Sequence, residues 1–377
     1  MTMTQPILST VDFNLHGFVG IRLLDATAKE VKTITRQLGP IQAPLTTDPD
    51  ITIRFVDQLP LTSGLRYLGV NDVGFTDDAF FILRGKHKTR ALVQIPFAQI
   101  GGRCEIVCER GLAAVPLLIA IVNLTALNKG ILPLHASAFN YNGSGILTTG
   151  WAKGGKTETL LSFMAHGATY IGDEWVYLSG DGDRMFGIPE PIRIWDWHLQ
   201  ELPQYWALVG RSDRTRLRSL RAVARTIEQI TPSGKNGGSA SAKLLKRIAH
   251  VLKQQLYVHI PPQKFAGQKF EPMVGHLNKI FFVASHETSD ITVTPVDPQE
   301  IAERMVFSLQ AERLDVLAYY LKFRFAFPQA HNELIEQAEE RQRALLTKLL
   351  AGKASYAVYH PYPVSIPALF DVINPLL

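Results

Sequence analysis

The stretch Gly150-Trp151-Ala152-Lys153-Gly154-Gly155-Lys156-Thr157 decides how the chain is read. It fits G-x-x-x-x-G-K-[ST], a loop whose main-chain amides cradle phosphate oxygens. Residues 144–149 before it read as a short buried strand, and 158–166 after it as a helix stopped at Gly167. Strand, loop and helix in that order aim unpaired amides and the positive end of a helix dipole at an anion. Gly150, Lys153, Gly154, Gly155, Lys156 and Thr157 form the expected nucleotide-binding set. Lys156 would reach the β- and γ-phosphates, and the Thr157 hydroxyl would hold Mg²⁺. The plainer reading, a chance glycine turn with a surface lysine, is disfavoured by the intact flanking pattern.

Working outward, Ala168–Leu178 is an apolar strand that delivers two acids, Asp173 and Glu174. One carboxylate can hold Mg²⁺, and the other can act as base toward an attacking hydroxyl. Adjacent acids repel, so a metal or a raised pKa is expected there. An ordinary strand-end turn is the alternative. Upstream, Leu132–Phe139 reads as a strand paired with the loop strand through a turn at 140–143, which puts His135 beside the phosphates. A lone strand histidine is equally often a satisfied core residue. Downstream, two prolines stiffen 189–198, where Arg193 could stabilise charge on a transferring phosphoryl group or simply lie on an edge strand.

The net charge of +5 is unevenly placed. Residues 211–253 hold eleven lysines and arginines against two acids, a surplus of nine, so the remainder carries a net of four negative charges. This block has a Gly/Ser break at 232–241 and a second basic run at 243–255. It lacks interleaved aromatics, which argues against nucleic acid. A flexible solvated insertion is the first expectation, and an arginine-supplying lid the second.

Length allows two domains. Within the first hundred residues we expect a strand over 12–24, a helix from Asp25 to Leu38, and strands at 51–55, 73–75, 80–83 and 91–95. No chemical motif falls in this α+β unit. The apolar run 112–127 contains Pro116 and Asn123 and is too short to span a bilayer, so it reads as a buried helix. Cys104 and Cys108 read as reduced strand thiols, and with no signal peptide the location expected is cytoplasmic. Strands at 279–283 and 291–294 come next, then a helix capped at Asp297 and running to about Phe325. A helix over 332–351 and a last strand at 356–359 end the pattern.

Taken together, His135 on its strand, Gly150–Thr157 extended by Glu158, and Gly172-Asp173-Glu174-Trp175-Val176 resemble the catalytic core of bacterial HPr kinase/phosphorylase. The likeness covers roughly residues 130–190, with a looser match at 279–315. It implies an α/β (α+β overall) fold of the HPr kinase and phosphoenolpyruvate carboxykinase type. The division expected is an α+β domain at 1–105 and a P-loop catalytic domain at 106–377, with a basic insertion near 205–265. Carried over by position, Asp173, Glu174, His135 and Arg193 would be catalytic, and Thr157, Glu158 and Asp173 would face Mg²⁺. Glu174 stands where the family has aspartate and Thr157 where it has serine. The family's L-E-I-R-G-L-G segment has no clear counterpart, which puts HPr itself as substrate in doubt. A divergent member fits better, moving the γ-phosphoryl of ATP to a hydroxyl of a peptide, protein or small molecule. A homo-oligomer is compatible with this, and a membrane span is not expected. The rival expectation is a nucleotide-binding scaffold or sensor without turnover, engaging a partner through the basic insertion. Carboxykinase-like chemistry would need substrate arginines not located here.

Overall fold

The computed structural model describes residues 7–69, 72–86, 89–230, 240–265 and 272–377. The chain is mixed α/β. Its first part contributes β1 (Ile7–Leu15), β2 (Val19–Thr27), α1 (Ala28–Leu38), β3 (Ile51–Val56), β4 (Arg66–Leu68) and β5 (Val73–Phe75). These continue into β6 (Phe80–Lys86), β7 (Thr89–Gln94), β8 (Cys104–Glu109) and α2 (Leu118–Asn128). The strands form one sheet in the order β1-β2-β3-β8-β7-β6-β5-β4, with β2, β3 and β8 mutually parallel. Alternation decides its inner face: Ile51, Ile53 and Phe55 of β3 and Cys104, Ile106 and Cys108 of β8 all point into the core. Both cysteines are free, and burial raises both thiols, Cys104 to about 12.

Several expectations need correction here. The strand expected over 12–24 is a hairpin, because His16 and Gly17 both take positive φ (50° and 81°) and reverse the chain. Asp25 does not start α1. It lies within β2 in the left-handed region, and Thr27 caps the helix, its N–H donating to Glu30 at 2.7 Å. Pro116 and the left-handed Leu117 delay α2 until Leu118. The domain break expected after residue 105 falls inside β8.

The second sheet is built from β9 (Leu132–Tyr141), β10 (Ser144–Thr149), then α3 (Lys156–Met164), β11 (Thr169–Gly172), β12 (Trp175–Leu178) and β13 (Arg184–Gly187). A ribbon of β14 (Ile192–Trp195) and β15 (Tyr257–Ile260) brackets α4 (Asp196–Glu201), α5 (Arg211–Ile230) and α6 (Ala240–Lys253). The basic insertion is thus two packed helices, and most of α5 is exposed to solvent. Most of its expected Gly/Ser break, 231–239, lies outside the described residues. The chain then gives β16 (Val274–His276), β17 (Lys279–Ser285), β18 (Thr292–Pro295), α7 (Pro298–Ala326), α8 (Glu333–Glu336), α9 (Ala338–Leu350), β19 (Ala354–His360) and α10 (Ile366–Ile373). Asp297 caps α7 as expected, accepting from the Gln299 N–H at 2.9 Å. The single helix expected over 332–351 is broken at Gln337, and α10 in the proline-rich end was not anticipated.

The main path of this sheet runs β16-β13-β12-β9-β10-β17-β19-β18, with β11 also paired to β9. β10 is antiparallel to β9 and parallel to β17. Ile146, Phe281 and Val283 face α3 and α10, while Leu147, Ile280 and Phe282 face α7 and α9. The 29-residue α7 joins the two halves. Its first part buries Ile301, Met305 and Leu309 under the second sheet, and its last part buries Val316, Tyr320 and Phe323 against the first. Among the described residues no helix is long and apolar enough to cross a membrane.

Asn332 fastens this joint. Its amide donates to the carbonyls of Phe97 (2.8 Å) and Ile100 (2.9 Å), and its Oδ1 accepts from the Ile335 N–H at the start of α8. Asn332→Ala strands the Ile100 carbonyl, leaves the Phe97 carbonyl with only the Ile100 N–H, and uncaps a helix N-terminus. It is expected to cost about 3 kcal/mol, read as a lowered urea midpoint. An unchanged midpoint would mean that the fastening carries no load.

Candidate functional site

The loop after β10 takes its shape from close backbone approach. Gly150 (φ 149°) has no room for a Cβ, which would lie 2.3 Å from the Val283 carbonyl oxygen of β17. At Gly155 (φ 107°), the residue that begins α3, a Cβ would meet the His360 ring at 2.2 Å. His360, fully buried at the end of β19, places Nε2 2.8 Å from the Gly154 carbonyl and so supports the loop from beneath. Lys156 is buried, with Nζ donating to the carbonyls of Trp151 (3.0 Å) and Gly150 (3.3 Å). Burial pushes its pKa down, while the nearby carboxylates of Asp173, Glu174, Glu312 and Glu158 oppose that shift.

Pairing in the sheet brings the remaining groups to this lysine. β9 runs between β10 and β12, so His135 lies opposite Trp175 while Ala136 lies opposite Thr149. Asp173 and Glu174 occupy the gap between β11 and β12. Asp173 is buried, and both its carboxylate oxygens accept from the Thr157 hydroxyl, at 3.1 and 3.2 Å. Burial raises its pKa to about 7, the Glu174 charge adds to the rise, and Thr157 and Lys156 resist it. One acid of the pair, Asp173, thus has a raised pKa, owed to burial first and to its neighbour's charge second.

Glu174 adopts φ 68°, uncommon for a residue with a side chain. This turns its carboxylate to His135 Nε2 at 3.2 Å, and that hydrogen bond lowers the Glu174 pKa. On the other side of the imidazole, Glu312 of α7 approaches Nδ1 at 2.6 Å. Burial disfavours a charged His135, but the two carboxylates outweigh it and raise its pKa. His135 is thus a bridge between two acids and not a plain core residue.

Glu158 does not join Thr157 and Asp173. Its carboxylate faces His198 Nε2 at 3.1 Å, and His198 Nδ1 accepts the Trp195 N–H at 3.3 Å, which leaves the ring proton on Nε2 to donate to Glu158. Arg193 is exposed on β14, its guanidinium 5.0 Å from the centre of the Tyr257 ring. The insertion is bound to this ribbon: Arg221 pairs with Asp196, and Arg216 donates to the carbonyls of Gln255 (3.1 Å) and Tyr257 (2.5 Å). Its α6 end then contributes His250, Lys253 and Gln254 to a pocket of about 390 Å³ over the loop. His135, Lys153, Gly155, Lys156, Thr157, Glu158, Asp173, Glu174 and Arg193 line the same pocket, together with Trp195, Trp197, His198 and Tyr362. Every expected site residue is therefore at or beside one cavity. Glu312, His198, His360 and the α6 residues were missed; each comes from a distant element, and no local spacing marks them.

Thr157 and Asp173 fit a magnesium ion by donor chemistry. Mg²⁺ takes one or two protein oxygens and completes its shell with water and substrate phosphates. Among the described residues no cluster of three or more His, Cys, Asp or Glu side chains could hold a metal unaided. No family model matches the chain, and no curated protein matches it.

Behind the acids lies Glu190, whose Oε2 is fully shielded without a hydrogen-bond partner among the described residues. Burial, then the charges of Glu174 and Asp173, raise its pKa to about 8. The folded chain therefore holds a proton that the unfolded chain releases above its ordinary value near 4.5, so this residue costs stability as pH climbs through that interval. Glu190→Gln is expected to be more stable than wild type by a margin that widens from about pH 4.5 to about pH 8 and is then constant. Urea unfolding across that range checks it, and a margin independent of pH would contradict it.

Proposed function

We propose that the chain is an HPr kinase-like phosphotransferase, Mg²⁺-dependent, which moves the γ-phosphoryl group of ATP to a hydroxyl of a peptide, protein or small molecule. The observation that carries this reading is the meeting of Lys156, Thr157 and Asp173 at the floor of one open pocket, with Glu174 and His135 on its wall. Phosphoryl transfer asks the protein mainly for positioning and charge neutralisation, and these groups supply both.

In this reading the loop amides and Lys156 hold the β- and γ-phosphates, the ammonium exchanging its bonds to the Gly150 and Trp151 carbonyls for phosphate oxygens. Thr157 and Asp173 would hold Mg²⁺, which when bound neutralises charge on the polyphosphate. Asp173 is then ionised for that task, which leaves proton abstraction to Glu174. Glu174 is the more exposed of the two acids, and His135 keeps it charged and aimed. It takes the proton of the acceptor hydroxyl as the oxygen attacks phosphorus and the bond to the leaving ADP breaks. Glu312 steadies the imidazole from behind. Arg193 and Lys253 would bring cationic groups over the transferring phosphoryl, with His250 beside them, the lid role of the insertion. Tyr362 and Trp197 offer faces to a nucleotide base. The reading puts the protein in the cytoplasm, where ATP is abundant.

Lys156→Ala is expected to lower ATP-dependent transfer about 10²–10³-fold or more while leaving the unfolding midpoint near wild type. Labelled ATP with Mg²⁺ and a panel of hydroxyl acceptors, including the protein itself, gives the readout. Glu174→Gln should lose transfer yet still bind Mg·ADP. Undiminished transfer in the lysine variant would remove the assignment. Tight nucleotide binding with no transfer to any acceptor would favour the scaffold.

A further inference from the structure

α7 carries a face that neither sheet uses. Phe307, Ala311, Leu314, Ala318, Leu321 and Phe325 follow one another at steps of four, three, four, three and four, the spacing of a coiled-coil seam. The large members are open to solvent: Phe307 is 55% exposed, Leu314 63%, Leu321 68% and Phe325 72%. Scattered exposed hydrophobics need no explanation, but a continuous stripe along one helix does. The seam has ends. Arg304, paired with Glu300 at 2.5 Å, precedes it at the next seam position, and Pro328 follows beyond the helix. Between these limits no seam position is charged.

We infer that a second copy of this chain covers the seam, the two α7 helices packing antiparallel about a two-fold axis level with Val316. Size decides the direction. In that register Leu314 meets Ala318 of the other copy, Leu321 meets Ala311, and Phe307 meets Phe325. Each small side chain faces a large one, and all six seam positions find a mate. A parallel pair would set alanine against alanine at two levels and leave voids. The four large side chains offer on the order of 500 Å² per copy, hence roughly 1,000 Å² in the pair, the lower bound for a specific interface. Alanines at alternate levels let the backbones approach closely. Of the flanking charges, Lys322 and Arg324 are neutralised within their own chain by Asp72 and Glu336. Asp315 is left near the axis, on a wet rim where salt screens its repulsion.

Light scattering on the full chain tests the pairing. Wild type is expected at twice its 42.0 kDa, and the double variant Leu314→Glu, Leu321→Glu at the single mass with an unchanged far-ultraviolet spectrum. Cysteine pairing tests the direction. An equimolar mixture of Leu314→Cys and Ala318→Cys protein should form the mixed disulfide on mild oxidation, in preference to either self-linked product. A monomeric wild type, or a double variant that remains dimeric, would overturn the seam. Dominant self-linking of Leu314→Cys would overturn the antiparallel arrangement.

Discussion

A buried ammonium in a ring of carboxylates is the constraint on which the site depends. Lys156 is almost wholly removed from water, and burial disfavours its charge. The acids around it, from α3, the β11–β12 gap and α7, together with the Gly150 and Trp151 carbonyls, hold that charge in place. Burial first, and then the charge of neighbouring acids, raises the pKa of Asp173 among them and of Glu190 behind them. Such an arrangement is costly for a fold with nothing to bind. On the proposed reading, a polyanion and a divalent cation in the pocket would each satisfy one of the two unbalanced sets.

Antiparallel pairing through β9 converts this charge pattern into geometry. Its register fixes His135 opposite Trp175 and Ala136 opposite Thr149, so one strand aligns the histidine, the acid gap and the end of the loop strand. A slip of one residue would turn His135 to the other face and break its contacts with both Glu174 and Glu312. The 29-residue α7 then does two jobs from one length of helix. It delivers Glu312 to the imidazole and holds the first sheet against the second.

What could be read in advance follows from the range of the physics involved. The strand before the glycine loop, the helix after it and the Asp297 cap are written in neighbouring residues, and each was legible. Turns that depend on left-handed non-glycine residues were not. At His16-Gly17 a lone glycine was passed over and Asp25 has no Gly or Pro beside it, so a hairpin read as one strand and a helix was started three residues early. The insertion was legible only in part: its charges suggested solvation, and most of α5 is exposed, but the bonds of Arg216 and Arg221 to backbone carbonyls and to Asp196 leave no local sign. Glu158 looked like a metal ligand because it follows Thr157, yet one turn of helix geometry points it at His198. Long-range partners such as Glu312 and His360 leave no local trace at all.

Hydrogen exchange with and without Mg·ADP tests the central claim most directly. If the loop amides and Lys156 hold a polyphosphate with Asp173 facing its cation, peptides covering 150–158 and 171–175 become protected together, and those covering 250–254 follow as the insertion closes. The Lys156→Ala protein should lose all three effects. Unchanged exchange across 150–158 at saturating nucleotide, or protection confined to some other part of the chain, would contradict the account.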